Sequence, residues 1–232
     1  PMASGVLPVC VGAATRLFDY IIDKQKTYVA ELQLGVVTDT QDATGAGVER
    51  RPVTVTEADV RAALPRFIGD IWQTPPMYSA IKRGGKRLYE LARRGESVEG
   101  APRACRVDDV RLTASLGDGR YRLEVDCGKG VYIRTLCHDI GAYLGCGGHM
   151  ATLERTRAGV FTLENALTLE EVDALGAEGL NARLLPMDAA IAHLPAVRVE
   201  ARHRAAARNG MPLRPEWLDA PAPQAEAEEI IE

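Results

Sequence analysis

Val107–Leu144, VDDVRLTASLGDGRYRLEVDCGKGVYIRTLCHDIGAYL, holds the pattern from which the architecture follows. Its first half, Val107–Ala114 and Arg120–Cys127, reads as two strands joined around the turn Gly117-Asp118-Gly119. After Gly128–Gly130 the period changes. Ile133, Leu136, Cys137, Ile140, Tyr143 and Leu144 recur three and four apart, which lines one stripe of a helix. A hairpin followed by a separate helix, without regular strand–helix alternation, predicts an α+β domain. Its sheet should be largely antiparallel.

The flanking sequence extends the same reading. Upstream, Tyr28, Ala30, Leu32 and Leu34 alternate with Val29, Glu31 and Gln33, a half-buried strand ending at Gly35. Thr38–Gly45, TDTQDATG, follows as a polar loop of Asx-type turn formers. Thr56 and Asp59 predict a capped helix with Val60, Ala63, Leu64 and Phe67 on its inner face. Val6–Val11 is expected as a buried strand or turn broken by Pro8, and Ala13–Ile22 has helical spacing. Lys86–Arg94 is expected to be helical and to stop at Gly95. Downstream, His149–Arg157 returns as a strand, and Thr168–Leu175 is a short acidic helix opened by a Thr168/Glu171 capping box. Past Pro186 the pattern thins to a short strand, Val197–Val199, and a helix, Ala201–Arg208, closed by Asn209-Gly210.

Composition narrows the function classes. The 232 residues are 46% hydrophobic and 26% charged, a globular mix. No apolar run approaches the roughly 20 residues that span a bilayer, so no membrane is expected. The opening PMASGVLPVC lacks a basic segment ahead of an apolar one, which argues against a secretory signal and for a cytoplasmic protein. Five widely spaced cysteines read as reduced thiols. Cys137, Cys146 and His149 lack a close pair and a fourth ligand, so no metal is expected. No glycine loop has phosphate-cradling spacing, and no cofactor is expected.

Charge is segregated. The balance is -2 over residues 1–76, +5 over 77–160 and -7 over 161–232. A polyanion would meet the middle of the chain. There Lys82, Arg83, Lys86, Arg87, Arg93 and Arg94 stand interleaved with Tyr78, Leu88 and Tyr89. A solvated helix face explains such a cluster equally well on charge alone. Gly84-Gly85 and Gly95 tilt the reading toward a basic loop-helix that closes over phosphates.

Four blocks are more specific than any propensity: PMASGVLPVCVGAATRL (Pro1–Leu17), DKQKTYVAELQLGVVTDTQDATG (Asp23–Gly45), PPMYSAIKRGGKRLYELARRG (Pro75–Gly95) and CGKGVYIRTLCHDIGAYLGCGGHMATLERTRAG (Cys127–Gly159). In this order they closely resemble the bacterial TruB-type tRNA pseudouridine synthases, which isomerise the T-loop uridine at tRNA position 55. The resemblance runs from Pro1 to about Ala174. It implies a pseudouridine synthase catalytic domain over 1–185 with an RNA-clamping insertion at about 76–104. Residues 186–232 resemble the start of a small PUA-type RNA-binding domain.

The first family block reads G-x-L-D-P-x-A-x-G-V-L-P, and its aspartate is the nucleophile. The match here starts at Pro1, directly after that aspartate. The chain is therefore expected to begin inside a longer gene product, and to be inactive without that residue. Asp19, Asp23, Asp39 and Asp42 lie outside that motif and are not substituted for it. Pseudouridine formation breaks a glycosidic bond and rejoins the base through carbon 5. It needs an ionised carboxylate in a dry pocket, which calls for an arginine partner that stays charged. The resemblance assigns that role to Arg134. It assigns Tyr28 to packing against the flipped base, and Tyr132 and Leu153 to the substrate pocket. Lys26 and Lys129 fall at basic positions beside it. Extruding a uridine costs a few kcal/mol, which new stacking must repay. The expected partner is the tRNA T stem-loop, bound by a monomer. A non-catalytic tRNA-binding or folding protein on the same scaffold is the alternative, and an unrelated metabolic α+β enzyme a third.

Overall fold

The computed structural model describes residues 2–22, 25–76, 81–83, 85–87, 100–192 and 194–219. The chain divides into two compact units, Pro1–Leu184 and Leu185–Glu232. In the first unit the strands are β1 (Ser4–Gly5), β2 (Lys26–Leu34), β3 (Val36–Thr38), β4 (Gly47–Arg50), β5 (Gly69–Gln73), β6 (Lys82–Arg83), β7 (Lys86–Arg87), β8 (Arg103–Gly117), β9 (Arg120–Cys127), β10 (Gly148–Ala158) and β11 (Phe161–Thr162). The α-helices among its described residues are α1 (Phe18–Ile22), α2 (Glu57–Ala63), α3 (Ile133–Tyr143) and α4 (Leu169–Arg183).

Among the described residues seven strands form one sheet in the order β1-β10-β2-β9-β8-β5, with β11 added on β10. Only the β1–β10 pair is parallel. This is the largely antiparallel α+β sheet that the hairpin-then-helix pattern predicts, made mixed by the β1–β10 pair. Alternation decides its faces. Ala30, Leu32 and Leu34 of β2 join Val107, Val110 and Leu112 of β8 and Leu123 and Val125 of β9 in one core. Leu136, Cys137 and Ile140 of α3 close over them. The intervening residues turn outward and pair by charge: Arg122 with Glu31 at 3.3 Å, Arg157 with Asp126 at 3.3 Å, and Arg111 with Asp109, Glu124 and Asp126.

Two capping boxes form where the sequence places them. Thr56 exchanges hydrogen bonds with Asp59 at the start of α2, and Thr168 with Glu171 at the start of α4. Gly176 (φ +61°) then breaks α4 into two helical stretches, the second running beyond Leu175 to Arg183.

Two expectations fail. Val6–Val11 does not form a buried strand: Val6 is buried, its N–H donating to the Arg155 carbonyl at 2.8 Å, but beyond it Leu7 and Val9 are 73% and 75% exposed. Pro8 carries no N–H to continue a ladder. Lys86–Arg87 do not start a helix. They pair with Lys82–Arg83, Arg83 opposite Lys86, as a hairpin. In sequence, Gly84-Gly85 between them is a pair that two-residue hairpin turns favour. The rest of that expected helix, with Arg93 and Arg94, lies outside the described residues, as do the side chains of Lys82, Arg83, Lys86 and Arg87.

The second unit is built from short pieces. Val199 bridges to Leu218, and a 3-10 turn, Ala201–His203, leads into α5 (Arg204–Arg208). Trp217 is buried there against the stacked ring of His203.

Candidate active site

The first turn of α3 is the focus. Arg134 is its second residue, and its guanidinium donates to the Asp42 carboxylate at 3.0 Å. Asp42 sits in the loop between β3 and β4 and is only 5% exposed. The hydroxyls of Thr40 (2.8 Å) and Thr44 and the Thr44 N–H (3.0 Å) also donate to it. Burial alone would raise its carboxyl. The hydrogen bonds from Thr44, Thr40 and Arg134 outweigh burial and hold it below the ordinary carboxylate value. The loop is docked on the sheet: Asp42 bridges to Met150 at the start of β10, and the Met150 N–H donates to the Gln41 carbonyl at 3.0 Å. Thr135, next to Arg134, donates to Gln41 at 2.8 Å.

Tyr28 stands on the core-facing side of β2, opposite Val125 of β9 and Arg155 of β10. Burial pushes its phenol above the ordinary value, against a hydrogen bond and charge from Arg155 that pull it down. It is therefore a neutral hydroxyl over the physiological range. Arg155 also donates to the Val6 carbonyl at 2.6 Å. Leu153 lies opposite Ala30 on the same stretch of β10, half-buried against the core.

The far edge of β10 carries two things in line: the Asp42 bridge at Met150, and β1 at Glu154 and Arg155. Because β1 is parallel to β10, Ser4 is the end of β1 nearer Met150 along this edge. Gly5 makes the approach of β1 to β10 possible. It has φ +100°, and a Cβ on it would lie 2.2 Å from the Arg155 carbonyl oxygen.

Tyr132 is the N-cap of α3 and makes no side-chain cap. Gln73 holds its backbone instead, accepting from the Tyr132 N–H at 2.9 Å and donating to the Tyr132 carbonyl at 3.2 Å. Lys26 opens β2 opposite Cys127, and Lys129 is exposed in the turn that leads into α3. Tyr28, Leu153, Tyr132 and Arg134 thus all belong to the sheet face covered by α3 or to the turn that starts it. The sequence alone marks neither Gln73 nor Arg155, and it sets Asp42 aside as lying outside the nucleophile motif. The one available signal was the pair of threonines at Thr40 and Thr44, two residues either side of Asp42. Among the described residues no group of three His, Cys, Asp or Glu side chains is placed to hold a metal ion.

Residues 1–133 match the TruB family pseudouridylate synthase N-terminal domain, and residues 134–192 match the tRNA pseudouridylate synthase B C-terminal domain. The chain belongs to the TruB family. It is 48% identical over 218 residues to the tRNA pseudouridine synthase B of Stutzerimonas stutzeri (strain A1501), covering 92% of this chain and 71% of that protein. To the protein of the same name from Burkholderia mallei (strain NCTC 10247) it is 48% identical over 202 residues, covering 87% of this chain and 66% of that one. Among solved structures, one from a Cbf5–Nop10–Gar1 complex superposes with a TM-score of 0.69 at 28% identity, over 94% of this chain and 58% of that one. A second, from an H/ACA RNP bound to a substrate RNA containing 2′-deoxyuridine, gives 0.67 at 25% identity, over 93% and 57%. The TruB fold is therefore the frame for the Arg134–Asp42 pair and for Tyr28.

Proposed function

We propose that this chain is the core of a tRNA pseudouridine synthase that isomerises the T-loop uridine at position 55. The bond between the base nitrogen and the sugar breaks, the base turns, and a carbon–carbon bond forms through carbon 5. The product has the same atoms as the substrate.

Each residue has a task in that reaction. The nucleophilic aspartate is expected in the stretch just upstream of Pro1. Arg134 pairs with it and keeps it ionised, because a buried carboxylate without a partner would take up a proton. Asp42 orients the arginine and balances its charge. Tyr28 packs against the extruded base, and Leu153 walls the pocket against water. Tyr132 borders the pocket, and Lys26 and Lys129 are basic positions beside it. The insertion at about 76–104, with Lys82, Arg83, Lys86, Arg87, Arg93 and Arg94, clamps the T stem-loop through shape and phosphate contacts. Residues from Pro186 onward begin a second RNA-binding unit. The enzyme works as a cytoplasmic monomer, and no described helix is long and apolar enough to cross a membrane.

The observation that supports this reading is the enclosed Asp42–Arg134 ion pair, whose loop bridges to β10, the strand that β1 pairs with in parallel. The test is to extend the chain upstream of Pro1 and assay a T-arm RNA for pseudouridine. Conversion is expected, together with its loss in Arg134→Ala at unchanged RNA affinity. An extended protein that binds this RNA and leaves the uridine intact is a tRNA-binding protein, and the enzymatic reading is then wrong.

A further inference from the structure

We propose that Gln73 is a positioning residue for the Tyr132–Arg134 turn, setting the rate of the isomerisation and not the affinity for RNA. The inference rests on the function proposed above. Gln73 ends the edge strand β5, 59 positions before Tyr132 in sequence, and is 2% exposed. Its carboxamide holds both backbone groups of Tyr132, as a neighbouring strand would. The Cys105 thiol, 3.5 Å from Gln73 Oε1, completes its partners. A helix start without a side-chain cap leaves its first N–H groups and its entry angle to be fixed by other means. Here the entry angle of α3 is fixed from β5, two residues ahead of the arginine.

The clamp also stands at the root of the insertion. The chain leaves β5 directly after Gln73 and returns at Arg103, the residue paired with it. Pro75 and Pro76 are buried, and Gly100 packs so closely that a Cβ there would lie 3.3 Å from the Pro75 carbonyl oxygen. The two legs therefore meet within a few residues of the amide that orients Tyr132. A fully buried position that needs one donor and one acceptor of this reach is met by glutamine in neutral form. An apolar or ionised side chain of the same length leaves a backbone group of Tyr132 unpaired.

The experiment uses the chain extended upstream of Pro1, carrying Gln73→Met or Gln73→Glu. Single-turnover rates and T-arm RNA affinity are measured across pH, with hydrogen exchange at the Tyr132 amide. Gln73→Met is expected to lose about 100-fold in rate, the cost of a misplacement near 1 Å, at unchanged RNA affinity. Its Tyr132 amide exchanges faster, while the amides of β8 and β9 do not. Gln73→Glu carries its own signature. A protonated carboxyl can donate to the Tyr132 carbonyl and accept from its N–H, whereas the ionised form cannot donate. Its rate relative to the parent therefore rises as pH falls. The titratable group that touches the Gln73 amide, Cys105, is raised by burial and stays neutral throughout. Parent-like turnover in Gln73→Met overturns the inference, as does an equal loss of RNA binding, or a Gln73→Glu rate ratio that is flat with pH. The last result decides the matter even if Gln73→Met does not fold. An unsubstituted protein that binds RNA without converting it overturns the proposed function, and this inference with it. An active parent with an equally active Gln73→Met overturns this inference alone.

Discussion

The Arg134 guanidinium donates to the Asp42 carboxylate at 3.0 Å, joining the β3–β4 loop to the first turn of α3 across 92 positions of sequence. Asp42 is almost wholly enclosed, so this pair differs from the exposed ion pairs on the opposite face of the sheet. Those exposed pairs contribute little stability. The enclosed one fixes where a positive charge stands.

Asp42→Asn keeps the shape and removes the charge. A hydrogen bond to a charged group contributes about 1.5–3 kcal/mol, so turnover is expected to fall by roughly 10- to 100-fold with RNA affinity retained. Single-turnover kinetics and filter binding check this. The same carboxyl sets a pH limit. It titrates below its unfolded value of about 3.9, so its contribution is complete above that pH and is lost as pH falls through the folded value. Acid unfolding of Asp42→Asn should therefore be less steep below about pH 4 than that of the parent.

Gly141 lies where α3 crosses the start of β10. A Cβ there would stand 2.4 Å from Gly148 N and 2.5 Å from Gly147 C, both backbone atoms that cannot turn aside. Alanine would gain about 1 kcal/mol of helix propensity, yet overpacking costs about 1–3 kcal/mol, and the net effect expected is destabilisation. The urea midpoint measures it, and a raised midpoint would show that the backbone yields.

Burial pushes the thiols of Cys127 and Cys137 up to about 12. A maleimide at about pH 8 should leave both unmodified in the native protein and label the partly exposed Cys10, with all five cysteines reacting after denaturation. Both thiols ionise more easily in the unfolded chain. Stability should therefore hold below about pH 8.5 and decline as pH rises toward about 12, by about 1 kcal/mol per pH unit for each thiol. Cys137→Ala should make that decline shallower in alkaline denaturation.

The basic insertion makes a prediction in salt. Reversing Arg93 and Arg94 to glutamate should weaken T-arm RNA binding. It should also reduce the slope of log K against log salt by roughly 0.7–0.9 for each phosphate no longer neutralised. Binding titrations over a range of salt read both. An unchanged slope returns the cluster to an ordinary solvated surface.

Short-range periodicity and local chemistry were legible along the chain. Alternation placed Ala30, Leu32 and Leu34 in the core, the three-and-four stripe placed Leu136 and Ile140 over them, and threonine–carboxylate spacing placed both capping boxes. Four ordered blocks of residues indicated the family. Where two local signals competed, as at Lys86–Arg87 or at Val6–Val11, the pairing of strands settled the outcome. The polar framework of the site came from folding over long range. In sequence Asp42 reads as a residue of a polar loop and Arg155 as one of a strand, and no local pattern marks Gln73. A polar side chain can be buried only where partners meet it; Asp42 has Thr40 and Thr44 close by, but Arg134, like Tyr132 for Gln73 and Val6 with Tyr28 for Arg155, is far away along the chain.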